Sequence, residues 1–170
     1  MSAPPLTPDE LVSTAGEREL LEAFLDNYRA IMVRKLAGLS GADTHRRLVP
    51  SKTTLASLLA HLTEVESSWF QRRLGQRDLP DIKPGWRGDE GWDIDPDTPV
   101  AELFVRYEAA CAESRRVAAG LALDDTVPHH RLGRVSLRWV YVHMIEETAR
   151  HAGHADILRE QTDGATGFDG

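Results

Sequence analysis

The chain has a single cysteine, Cys111, so it can form no intrachain disulfide; in the helical run AACAESRR, a small buried thiol is the expected reading. It has no apolar run approaching the roughly 20 residues that a bilayer span requires. The N-terminus MSAPPLTPDELVSTAGERE lacks a basic segment followed by an apolar one, so no export signal is expected and a cytoplasmic address follows. Positive charge is also scarce. The 20 Lys and Arg face 27 Asp and Glu, and the net charge of −7 opposes association with phosphate backbones or anionic lipid, so neither nucleic acid nor membrane is an expected partner. Alternating β patterns strong enough to define a strand are missing as well.

What is present is helical periodicity in four segments, and 170 residues suit one domain spanning 1–170. The first segment places Leu20, Leu21, Phe24, Leu25, Tyr28, Ile31, Met32 and Leu36 at steps of three and four, with Gly38 and Gly41 as stop signals. A second, capped by Thr53 or Thr54, carries Leu55, Leu58, Leu62, Val65 and Trp69 on one side and ends at Gly75. The third starts near Asp97 and Thr98, with Pro99 in its first turn, and buries Val100, Leu103, Phe104, Tyr107, Cys111 and Val117 or Ala118. The fourth opens at about Ser136 and runs past Leu158.

Between Gln76 and Pro99 lies a long, Pro-, Gly- and Asp-rich loop in which Trp86 and Trp92 either wall a pocket or cover core. Its alternating Asp93, Asp95 and Asp97 lack the turn glycine and later glutamate of a calcium loop, so a solvated acidic loop is expected. His129 and His130, in the linker before the fourth helix, are expected to face solvent, unless this basic linker folds over a site. The pattern predicts an all-α four-helix bundle. The length of the second connection leaves room for a crossover, which favours up-down-down-up order over simple up-down-up-down.

Chemistry enters on the fourth helix. At about 100° per residue, His143, Glu147, His151 and His154 fall inside a sector roughly 80° wide, in line with Val140, Met144 and Leu158 on the core side. A carboxylate there costs several kcal/mol, on the order given for buried charges, unless it is compensated. A cation on a facing helix, a histidine network or a divalent metal would each serve. Glu147 and His151 stand one turn apart, where both reach one ion, and His61 on the second helix lies at the edge of the apolar stripe and offers a third ligand. Two imidazoles and a carboxylate match zinc with an open fourth position, and the same set would also suit nickel, iron(II) or manganese as alternatives. His154 is expected to act as a catalytic base or as a partner of a ligand rather than as a ligand, with His143 in a lesser supporting place. Arg150, Asp156, Arg159 and Glu160 read as solvated charges.

HLTEVESSWF at 61–70 and SLRWVYVHMIEETARHAGHADILRE at 136–160, with ERELLEAFLD near the start, resemble the DinB/YfiT-like superfamily of metal-binding four-helix bundles, within a branch common in actinobacteria. The resemblance covers nearly the whole chain. It implies a site built from one histidine of the second helix and a pair four apart in the fourth. His61 and His151 match, while Glu147 stands where many members have histidine. The related mycothiol-dependent maleylpyruvate isomerases are similar in using His, Glu and His on zinc. The resemblance further implies thiol chemistry, in which a low-molecular-weight thiol such as mycothiol meets a small electrophile, and it is compatible with a homodimer. A non-catalytic metal-binding or stress-response bundle and a metal-dependent hydrolase are the competing expectations.

Overall fold

The computed structural model describes residues 5–79 and 92–167. Four long helical elements form the bundle: α2 (Glu17–Leu36), α4 (Leu55–Glu66) continued by a π-helical stretch (Ser67–Leu74), α5 (Val100–Ala119) and α6 (Leu137–Asp163). Two single-turn helices, α1 (Pro8–Leu11) and α3 (Gly41–Thr44), were not foreseen, because four residues carry too little periodicity to register. The expected boundaries of the long helices agree with their caps. Thr54 Oγ1 accepts from Ser57 N at 3.0 Å to open α4, Ser136 Oγ accepts from Trp139 N at 3.1 Å to open α6, and Gly38 takes a left-handed φ of 78° just beyond α2.

Inter-helix hydrogen bonds give the relative directions. Glu17, Glu22 and Lys35 of α2 meet Arg138, Tyr141 and Arg159 of α6 in the same order, so these two helices run parallel. Arg18 reaches the carbonyls of Ala118 and Leu121 while Arg115 reaches Asp26, so α5 runs against α2. Helix α4 opposes α6, with His61 beside Glu147 and Phe70 against Tyr141.

The core includes Met32, Leu36, Leu58, Leu59, Leu62, Tyr107, Ala155 and Leu158 towards one end, and Leu25, Phe70, Leu137, Val140 and Met144 towards the other. Two expected core positions are corrected. Phe24 is exposed, and on the same helix Arg29 is buried instead, because its guanidinium closes a two-bond ion pair on Glu66 (Nε to Oε1 2.8 Å, Nη2 to Oε2 2.6 Å). Trp69 is only half-buried, because the π stretch shifts the angular phase of the helix and turns Phe70 and Leu74 inward in its place. Gly75 ends that stretch by necessity: a Cβ there would meet the Gln71 carbonyl oxygen at 2.7 Å.

The expectation of no strands also fails. Thr126–His129 (β1) and Gly133–Ser136 (β2) pair antiparallel, with Val127 opposite Val135 and both buried on the bundle. Each strand has four residues, and only one apolar side chain of each faces inward, so the alternation was too short to read. In the long connection, Asp93 pairs with Lys52, and Asp95 Oδ1 accepts from Asp97 N at 3.0 Å in a local turn. Trp86 lies outside the described residues. Among the described residues no helix is long and apolar enough to cross a membrane.

Candidate metal centre

His61 projects from the middle of α4, and Glu147 and His151 from successive turns of α6. The seam between these helices brings the three together. Oε1 of Glu147 lies 3.1 Å from Nε2 of His61 and 3.1 Å from Nε2 of His151. Among the described residues this is the one set of three His, Cys, Asp or Glu side chains whose donor atoms converge, all within 4.8 Å of one another. His61 and His151 are 6% and 4% exposed, and their rings meet edge to face at 4.8 Å between centroids. Trp92 stacks on His61 at 4.7 Å and leans on His151 at 5.7 Å, which makes it a wall of the site.

Two imidazole nitrogens and a carboxylate oxygen are the donor types that hold a divalent cation. With metal–ligand bonds of about 2.0–2.1 Å, the edge of a coordination tetrahedron is about 3.3 Å, close to both nitrogen–oxygen separations. The carboxylate is also in the right charge state. Burial by itself would raise the Glu147 carboxyl, but the hydrogen bonds from His151 and His61, with the charges of His151 and Arg150, outweigh it and hold the group well below the usual carboxylate range. Glu147 is therefore anionic at neutral pH, as a metal ligand must be.

The model of the mycothiol-S-transferase family matches residues 20–164. The chain belongs to that family. A crystal structure of a conserved protein from Enterococcus faecalis superposes with a TM-score of 0.71, covering 89% of this chain and 100% of that one at 16% identity, which establishes a shared fold. No curated protein matches the chain. The matched region contains all three converging side chains, so in this member of the mycothiol-S-transferase family the candidate centre lies within the family's domain rather than in an added segment.

Further ionisable groups stand around the three donors. Arg150, exposed as expected of a solvated charge, also clasps Oε2 of Glu147, the oxygen turned away from the histidines. An acid and a base three apart on one helix are the signal that marks such a pair. His154 does approach the site, with Nδ1 3.3 Å from Nδ1 of His151, on the ring edge opposite the converging Nε2. His143 stands apart. Its Nδ1 is 3.9 Å from Glu146, its ring lies between Trp69 and Trp139, and burial lowers its basicity. Glu146 points to solvent, as expected.

His129 is a correction. It stacks on Trp69 at 5.6 Å with rings 8° from parallel, because the β hairpin carries it back over the bundle, while His130 stays exposed and stacks on it. Cys111 is buried as expected. Burial first and the charge of Glu66 second push its thiol up to about 12, which leaves no useful thiolate at neutral pH and removes it as a nucleophile.

Proposed function

We propose that the protein transfers a low-molecular-weight thiol of the mycothiol type to a small electrophile, at a divalent metal, zinc, held by His61, Glu147 and His151. The observation that carries this is the convergence of two imidazole nitrogens on one ionised carboxylate oxygen in a family defined by mycothiol transfer. A bound dication supplies Lewis acidity that favours the thiolate, the nucleophilic form, over the thiol at neutral pH. In the transfer the thiol proton passes to solvent and an S–C bond forms on the electrophile; either the bond to the leaving group breaks and its electron pair departs with that group, or a π bond opens and the carbanion formed takes a proton from solvent.

The protein side chains hold and orient. Glu147 contributes the single negative charge, and Arg150 on its outer oxygen fixes the plane of the carboxylate. When Nε2 of His151 offers its lone pair to a cation, its Nδ1 carries the hydrogen and donates to Nδ1 of His154. His154 then bears its own hydrogen on Nε2, so its part is to set the tautomer and angle of His151 rather than to accept the thiol proton. His154→Ala is accordingly expected to weaken metal binding about 10–100-fold, the range for partners of metal-ligating histidines, as read by competition with a chromogenic chelator. His154→Asn, which can still accept at that position, should recover part of the loss. If His154→Ala binds metal normally but loses transfer activity, His154 is the base instead.

The direct test uses metal-replete protein, mycothiol and 1-chloro-2,4-dinitrobenzene, with thioether formation followed by absorbance and mass spectrometry. Thioether is expected only with both metal and thiol, and zinc should restore activity lost to a chelator. Metal-dependent consumption of an electrophile without thiol would identify a hydrolase. Trp92 packed on His61 and His151 favours a second reading, a metal-binding bundle without catalysis. It predicts stoichiometric metal with no turnover across a panel of electrophiles.

A further inference from the structure

Beside the metal centre, on the same seam between the α4 extension and α6, lies a second cluster that the chemistry above leaves unused. His143 is four residues before Glu147, about 6 Å along the helix. Its ring stacks on Trp139 at 5.1 Å, and both meet Trp69, at 4.7 Å and 5.3 Å. Arg73 sits over the Trp69 ring at 4.4 Å. Trp139 is 40% exposed, a large share for an indole, and offers ring surface to an incoming ligand.

Arg73 is the group that asks for a partner. It is half-buried, its Nε is shielded from water, and among the described residues that nitrogen has no hydrogen-bond acceptor and the guanidinium no carboxylate. Its desolvation is compounded by Arg72 next to it, and both effects disfavour its charge. The neighbouring imidazoles do not supply an anion. His129 and His143 are both made less basic, first by burial, and Arg73 is among the charges that oppose their protonation. A half-buried guanidinium on an indole, flanked by neutral rings, is under-compensated until an anion arrives.

We propose that Arg73, Trp69, Trp139 and His143 form the subsite for a planar aromatic or conjugated carboxylate, whose ring lies on the exposed indole and whose carboxylate takes the Arg73 fork. Planarity follows from the ring surface, and the carboxylate from the two-pronged geometry of a guanidinium whose Nε has no acceptor among the described residues. The subsite would place an electrophile of this class next to Glu147. Its assignment as the acceptor's place rests on the thiol-transfer proposal, but the binding itself does not depend on metal.

The test is calorimetric titration of 1-naphthoate, 1-naphthalenemethanol and acetate into the full chain, both zinc-loaded and chelator-treated. Naphthoate is expected to bind at least tenfold more tightly than the neutral alcohol in both forms, and acetate to bind weakest. Arg73→Gln should erase the preference for the acid, Arg73→Lys should keep part of it, and Trp139→Ala should weaken both aromatic ligands about fivefold or more. Equal affinity for acid and alcohol, a preference that survives in Arg73→Gln, or no naphthoate binding at millimolar concentration would each overturn the proposal. Absence of metal would sink thiol transfer yet leave naphthoate bound. Transfer activity with naphthoate unbound would sink the subsite alone.

Discussion

His151→Ala is expected to abolish stoichiometric metal binding, by a margin well beyond the about 10–100-fold loss assigned to an outer partner such as His154. His151 provides one of three donors and sits opposite His61 across the same carboxylate oxygen, so its removal leaves a two-ligand site open to water. Glu147→Gln should do nearly as much harm. It keeps the side chain's size but removes the only negative charge in the set and replaces an acceptor with a group that donates from one side. Elemental analysis after metal-replete purification without chelators reads both outcomes. Metal retained at one equivalent in either variant would show that the ion is held elsewhere, and absence of metal from the parent protein would end the proposal at its first step.

Arg29→Met should cost about 3–5 kcal/mol of folding stability, the range for breaking a buried ion pair on one side. Glu66 is 0% exposed and its two oxygens are taken up by Nε and Nη2 of Arg29, so loss of the guanidinium strands a carboxylate in the core. Glu66→Met should cost less, since Arg29 still reaches Asp26 through Nη1 at 2.8 Å. The double variant is expected to recover most of the loss in Arg29→Met, because an apolar pair of similar volume needs no compensation. Urea denaturation of the three variants gives the cycle. If Arg29→Met proved within about 1 kcal/mol of the parent, the pair would be behaving as a solvated surface bridge of that magnitude.

The site and the ion pair differ in how visible they were before folding. His61, Glu147 and His151 could be picked out because each interrupts an apolar stripe, and an ionisable group on a core face demands a partner. The helix ends were equally plain, since Thr54, Ser136, Gly38 and Gly75 act locally through caps and backbone conformation. Arg29 gave no such sign. On α2 it stood among Tyr28, Ala30 and Asp26 with nothing local to mark it as buried, and the carboxylate that draws it inward lies 37 residues away. Trp69 departs from its stripe for another reason: the period of a regular helix does not carry through a stretch whose backbone adopts π pairing, and one altered turn rotates every later side chain. The hairpin that sets His129 on Trp69 is stabilised by the bundle surface under Val127 and Val135 rather than by its own four-residue strands.

By itself, then, the sequence determined the four long helices, their caps and the three side chains most out of keeping with their faces, because periodicity, capping and the cost of a buried charge act within a few residues of chain. Only the tertiary structure decided that Nε2 of His61 and of His151 meet the same oxygen of Glu147, that His154 faces the back of His151, and that Arg150 holds the outer oxygen. Those relations depend on the separation and rotation of α4 against α6, which the close packing of the whole bundle sets and which no local pattern encodes.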